Sequence, residues 1–203
     1  MNKNISKNIL LFLFIFLILG MGGFFIWQKN RKTPAEEWGR AKISPKGDYV
    51  IKETSEDRTV ENEKAGLSFR VPDSWILKET PTYFYSPDAK FSEKRSDILE
   101  QGCEIDLDIS YIKIDLDALE KVRRVNVSRL SSAASNEEFK RVEISNHSAL
   151  RYGFRVENLK ISYTWIDLPT QNQLYTILLI NPIQEQERCA IELDRFLETV
   201  SIK

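Results

Sequence analysis

Ile9 to Trp27, ILLFLFIFLILGMGGFFIW, is a run of nineteen residues without a charge. At about 1.5 Å rise per residue, a helix of that length spans about 28 Å, close to the hydrocarbon thickness of about 30 Å. A core helix of a globular domain keeps a polar face, and this run has none. The rival reading is a cleaved signal peptide, whose apolar stretch of about 7–15 residues ends at a small-x-small site. Gly20-Met21-Gly22 offers such a site, but Phe24, Phe25, Ile26 and Trp27 carry the run past it. The expectation is an uncleaved transmembrane helix over 9–27 after a short tail, 1–8, so the membrane is the first partner. No Cys ends the run, which excludes a bacterial lipoprotein anchor. Trp27 before Gln28-Lys29 fits an interfacial aromatic.

The net charge of −1 over 203 residues averages two unlike parts. All five bases before residue 33 (Lys3, Lys7, Lys29, Arg31, Lys32) flank the apolar run, with no acid among them. The remainder carries 24 bases against 30 acids, a net of −6. Such a body lacks the basic footprint that nucleic-acid binding needs, so nucleic acid is excluded as a partner. Bases on both sides of the span leave the positive-inside rule nearly balanced. A short acid-free tail before a first span suits a signal anchor with an exported C-terminal body, and that is the expected orientation. The alternative is a cytosolic body held at the membrane.

Residues 28–60 are polar and mixed in charge, broken by Pro34, Gly39, Pro45 and Gly47, and read as a linker. Tyr49-Val50-Ile51 is a short strand candidate within it. Trp38 reads as a loop aromatic that packs on the domain rather than on the membrane surface.

The folded body is expected over 61–203. Leu67, Phe69 and Val71 alternate with Ser68 and Arg70, the period of a half-buried strand. Pro72-Asp73-Ser74 makes a turn, and Trp75 opens the next extended piece. Strands follow at 82–86 and 103–112. In the second, Cys103, Ile105, Leu107, Ile109 and Tyr111 share one face, and Glu104, Asp106 and Asp108 the other. Asp115 reads as the N-cap of a helix over 116–130. Residues 131–136 are loop. Strands at 139–145, 150–156, 159–166 and 174–181 form a meander with turns at Asn146-His147, Glu157-Asn158 and 169–172. LYTILLIN, 174–181, is apolar on both faces and is expected to be covered above and below. A last helix, 185–199, places Cys189, Ala190, Leu193, Phe196 and Leu197 at helical spacing. The fold class is α+β: an antiparallel sheet flanked by helices.

GLSFRVPDSW (66–75), a strand running through Pro72 into Trp75, opens this body. FLETVSIK (196–203), an apolar helix end running into a short strand, closes it. Together with the long strand, helix and meander between them, this resembles the PsbP-like family, named for an extrinsic subunit of the photosynthetic oxygen-evolving complex. The resemblance covers about 61–203. It implies an α-β-α sandwich around a central antiparallel sheet, serving as a non-enzymatic extracytoplasmic interaction module. Phe69, Pro72, Trp75, Leu193 and Phe196 are its structural residues. No metal-binding His of the plant subunit has a counterpart here, since His147 is the sole histidine and lies in a turn.

Catalytic motifs are absent from the sequence. There is no G-x-S-x-G elbow, no glycine-rich phosphate loop and no EF-hand pattern. Two Cys and one His cannot build a zinc cluster, so no metal and no cofactor is expected. Glu104, Asp106 and Asp108 project from one strand about 7 Å apart in succession. Calcium needs oxygens converging on one point, and a strand stripe diverges, so these acids read as a candidate contact face. Asn126-Val127-Ser128 and Asn146-His147-Ser148 match the glycosylation triplet at about the chance frequency. Cys103 and Cys189 form a candidate disulfide: an exported chain sits where thiols oxidise, and both fall on faces expected to pack together. Two buried free thiols are the alternative. The function read from all this is a single-pass anchored protein whose domain binds another protein or an envelope component. The alternative is an anchored envelope hydrolase using paired carboxylates.

Overall fold

The computed structural model of the chain describes residues 41–54, 57–78, 80–95, 98–130, 134–136 and 139–203. The expected membrane span 9–27, the tail before it, and linker residues 28–40 with Trp38 lie outside the described residues. Among the described residues no helix is long and apolar enough to cross a membrane.

The elements run in the order β1 (Lys42–Ile43), β2 (Val50–Glu53), β3 (Arg58–Asn62), β4 (Leu67–Arg70), β5 (Ile76–Leu77), β6 (Tyr83–Tyr85), β7 (Lys90–Phe91), β8 (Leu99–Gln101) and β9 (Glu104–Tyr111). Then come α1 (Leu116–Leu130), β10 (Ala134–Asn136), β11 (Lys140–Ile144), β12 (His147–Val156), β13 (Ile161–Pro169), β14 (Leu174–Pro182), α2 (Gln186–Glu198) and β15 (Ser201–Ile202). The class is α+β, with antiparallel sheets and two helices among the described residues.

The large sheet follows the order β10-β12-β13-β14-β9-β6-β5, with β11 also pairing on β12 and β1 on β9. A second sheet runs β15-β4-β3-β2. Within the segment expected as linker, the compact unit already begins at Ala41. Val60 and Tyr49 are buried, and β2 pairs with β3 through its backbone although all four of its side chains are exposed. An edge strand with both faces exposed, each mixing an apolar with a charged side chain, shows no hydrophobic period, so most of the segment reads as linker.

The helices lie on opposite faces of the large sheet, and a second sheet joins α2 on one of them. One face of the large sheet packs on α2 together with the second sheet. Phe69 of β4, Phe84 of β6 and Phe196 of α2 meet there with ring centroids 5.3–6.0 Å apart. Such ring pairs add about 0.5–1.5 kcal/mol beyond their buried area. Trp75 lies against Phe84 edge-on at 5.8 Å and is 6% exposed. Pro72 is half-buried, and its carbonyl accepts the Trp75 amide at 3.1 Å to close the turn, with Ser74 at φ 64°. Leu193 and Phe196 follow Cys189 at helical spacing on the buried stripe of α2.

α1 covers part of the opposite face. Asp115 caps it, its carboxylate accepting the Ala118 amide at 2.8 Å. Leu119 and Val127 are buried. Arg123 of α1 donates to Asp167 of β13 through Nε at 2.6 Å and Nη2 at 3.0 Å. That fully buried carboxylate also accepts the Tyr152 hydroxyl at 2.9 Å and the Thr176 hydroxyl at 2.7 Å. Four donors on one carboxylate replace its hydration shell, which is what lets a charge sit inside.

Three loop expectations shift. The β11–β12 hairpin turns on Ser145 and Asn146, at φ 50° and 61°, the double left-handed pattern of a two-residue primed turn. His147 therefore belongs to β12, its Nδ1 2.7 Å from the Ser145 carbonyl. Residues 134–136, expected as loop, pair with β12 at 154–156.

Candidate functional site

Directly paired residues of an antiparallel sheet point to the same side, so the register defines transverse rows. One row on the α1 side runs Tyr152, Trp165, Leu178, Asp106, Tyr83 across β12, β13, β14, β9 and β6. The next runs Phe154, Tyr163, Ile180, Glu104, Tyr85, Ile76, ending on β5. The third runs Leu150, Asp167, Thr176, Asp108. The face thus changes from aromatic at β12 and β13 to aliphatic at β14, then to carboxylate at β9 and tyrosine at β6.

The aromatic part is a stacked series. Phe139, Tyr152 and Trp165 lie nearly parallel, with centroids 4.9 and 5.8 Å apart. Phe154 and Tyr163 stack on Trp165 at 5.0 and 5.6 Å. Arg124 of α1 holds its guanidinium 4.3 Å from the Phe139 centroid. Leu178 and Ile180 of β14 are half-buried, so the expectation that 174–181 is covered on both faces is corrected. Ile177 and Leu179 lie buried against the core, whereas α1 lies over β12, two strands away.

The three acids, expected together on a contact face, are graded. Glu104 is 7% exposed, Asp106 half-buried and Asp108 exposed. Burial holds the Glu104 carboxyl above its ordinary value, opposed by the Tyr83 hydroxyl that donates to it and by the charge of Lys78. Lys78 donates in turn to the Tyr83 oxygen at 3.4 Å and lies 4.6 Å over the same ring, beside Phe91. Asp106 is pushed up to about 6, first by burial and next by the like charge of Asp108, while the Leu107 amide and Lys46 oppose. Burial also raises Asp108. Among the described residues neither Asp106 nor Asp108 is ion-paired, and no three acids, His or Cys converge as a metal site.

Cys103 and Cys189 are bonded to one another, with Cα atoms 5.6 Å apart, and both are buried. The bond ties the residue preceding β9 to the first turn of α2. Gly102 makes the approach feasible. It has φ +92°, and a Cβ there would meet Ala89 Cα at 2.6 Å and Ser86 Oγ at 2.7 Å. The Ser86 hydroxyl accepts the Cys103 amide at 2.9 Å and donates to Asp88 at 2.6 Å.

Two open clefts lie elsewhere. One, about 500 Å³, is lined by residues including Trp75, Asp88, Arg188 and Glu192. The other, about 210 Å³, is lined by residues including Glu53, Asp57, Arg58 and Trp75. Neither contains Asp106 or Asp108. Arg188 pairs with both Asp88 and Glu185, and Arg58 with Glu53. The aromatic and tyrosine flanks of the acidic stripe escaped the sequence reading. Period-two alternation shows which residues share a strand face, but not which strands become neighbours.

No protein-family model and no curated protein matches the chain in sequence. Solved structures do. The chain is similar to the cyanobacterial PsbP of Synechocystis sp. PCC 6803, at 14% identity over 77% of this chain and 93% of that one, with a TM-score of 0.47. It is also similar to LpqN, involved in cell envelope biogenesis in Mycobacterium tuberculosis, at 14% identity over 86% and 99%, with a TM-score of 0.48. The protein PA94 of Pseudomonas aeruginosa shares 11% identity over 75% and 96%, with a TM-score of 0.41.

Proposed function

We propose that the chain is a single-pass membrane-anchored protein, held through residues 9–27, whose extracytoplasmic α+β domain binds another protein or an envelope component without catalysing a reaction. The observation that carries this is the face of the large sheet between α1 and β6. There, aromatic, aliphatic and carboxylate side chains share continuous rows at ordinary strand spacing, spread over a surface instead of gathered in a cleft. A surface mixing apolar area with unpaired charge is what partner recognition uses. The buried Cys103–Cys189 bond supports the compartment, because disulfides persist where the surroundings oxidise.

The test is a photo-reactive phenylalanine analogue at Leu178 in the full chain, irradiated in intact membranes. A discrete adduct is expected, and the same probe at exposed Asn126 on α1 should give none. Equal labelling at both positions, or none at Leu178, would refute a specific surface. The hydrolase reading draws on the raised carboxyl of Asp106 with Asp108 beside it on the same strand face. Loss of a glycan- or ester-hydrolysing activity on Asp106→Asn would decide for that reading.

A further inference from the structure

The large sheet carries a helix on one lane of its α1 side and a different lane beside it. α1 packs over β12 through Val127 and Leu116, and its Arg123 is anchored on Asp167 of β13. The neighbouring lane is β14 and β9. Two strands at about 4.8 Å spacing make it about 10 Å wide, the diameter of an α-helix with its side chains. Its two long edges differ. Trp165, Leu178 and Ile180 form the apolar edge, and Asp106 and Asp108 the acidic one.

From this we infer that the lane over β14 and β9 receives an amphipathic helix of a partner protein, apolar on one side and bearing Arg or Lys along the other. The inference rests on the proposed binding role of this face and names the chemistry of the occupant. Charge complementarity selects it. Asp106 and Asp108 stand about 7 Å apart along β9, and cations one helical turn apart, at i and i+4, stand about 6 Å apart. A cation facing this pair relieves the repulsion between two partly desolvated carboxylates, neither of them in an ion pair among the described residues and only Asp106 offset by the charge of Lys46. Arg has a second use, since its guanidinium stacks on aromatic rings while pairing with carboxylate. Arg124 on Phe139 shows the same stacking on this face. A second copy of this chain is disfavoured, because it would bring three acids against three. An acidic helix meets the same repulsion.

The probe is a designed eighteen-residue helical peptide with leucines on one side and arginines at i, i+4, i+7 and i+11. It is titrated against the full chain in uncharged detergent micelles and followed by fluorescence anisotropy, with empty micelles as the blank. Saturable binding is expected. It should weaken at least tenfold in Asp106→Asn/Asp108→Asn, and by a similar factor when glutamates replace the peptide's arginines. Far-ultraviolet circular dichroism of the double variant checks that it is folded. Raising salt from 50 to 300 mM serves as a second reading on the parent chain, and weaker binding is expected. Equal binding by the parent and a folded double variant, or by the arginine and glutamate peptides, overturns the inference. So does self-association of the chain through this face in sedimentation. If the Leu178 adduct persists while peptide binding ignores charge, the binding surface stands and the cationic helix falls. If both vanish, the surface itself falls.

Discussion

Arg123 and Asp167, forty-four residues apart in sequence, form a two-pronged ion pair that fastens α1 to the large sheet, Nε to Oδ2 at 2.6 Å and Nη2 to Oδ1 at 3.0 Å. Asp167 is wholly buried, so its charge depends on that guanidinium and on the hydroxyls of Tyr152 and Thr176. Arg123→Ala leaves the carboxylate without its counter-ion and is expected to cost about 3–5 kcal/mol in denaturant melts at pH 7. Combining it with Asp167→Leu should recover much of the loss, because no stranded charge remains. A single variant within 1 kcal/mol of the parent would show that water reaches Asp167.

The Cys103–Cys189 bond closes a long segment, with a sequence separation of 86. Restricting that much unfolded chain stabilises by at most about 4.5 kcal/mol in the loop-entropy picture, and measured values are often about 2–4. The paired change Cys103→Ala/Cys189→Ala should lower the melting temperature by well over 5 °C. Mass spectrometry before and after reduction should show two thiols appearing. Two free thiols in chain isolated from its native membrane would contradict the proposed compartment.

Gly102 is not replaceable at ordinary cost. Its φ of +92° disfavours any side chain, and backbone atoms of Ala89 occupy the place of a Cβ. Gly102→Ala is expected to destabilise by about 2 kcal/mol or more, read by thermal melting. Gly47→Ala is the control, since nothing lies within 4 Å of a Cβ there.

Asp106 sets a pH dependence with a definite sign. Its folded value, near 6, lies above the ordinary 3.8, because burial dominates, Asp108 and Glu104 add to it, and Leu107 and Lys46 oppose. The neutral acid suits the fold. The stability it confers is complete below about pH 4 and is lost as pH rises through 6. Asp106→Asn should therefore stabilise by about 1 kcal/mol at pH 7.5, discounted for partial exposure, and by nothing at pH 4. Melts of both proteins across that range read the difference directly. A parent chain that gains stability, relative to the variant, as pH rises would reverse the sign.

The apolar run should hold the chain in membranes through an alkaline wash. Leu13→Arg and Leu17→Arg each carry about 2.5–3.5 kcal/mol of insertion penalty, and together they should release the protein to the soluble fraction. Continued sedimentation with membranes would assign the attachment to the domain.

Alternation made β9 readable, with Cys103, Ile105, Leu107 and Ile109 buried on its inner face, and helical spacing made α2 readable through Cys189, Leu193 and Phe196. β2 was readable only as the short candidate Tyr49-Val50-Ile51, and β3 not at all. VIKE exposes all four side chains and RTVEN mixes charge with one buried valine, so backbone pairing and two surface ion pairs, Lys52 with Glu61 and Arg58 with Glu53, hold β2 in place. Glu104 reads as a surface acid in sequence, yet Tyr83, from a strand twenty residues earlier, donates to it and shelters it. Asp167 likewise depends on Arg123. Partners this distant in sequence leave no local pattern, and the face shared by Trp165, Leu178 and Asp106 exists only once three strands have aligned.

β15 pairs with β4, Ile202 opposite Leu67 and Ser201 opposite Ser68, and the Lys203 amide returns to the Gly66 carbonyl at 3.0 Å. β4 therefore completes its pairing only once residues 201–203, more than 130 positions later in sequence, have reached it. A stalled or clipped product that ends before residue 200 would present the unpaired edge of β4 to its neighbours, a ready substrate for quality-control proteases.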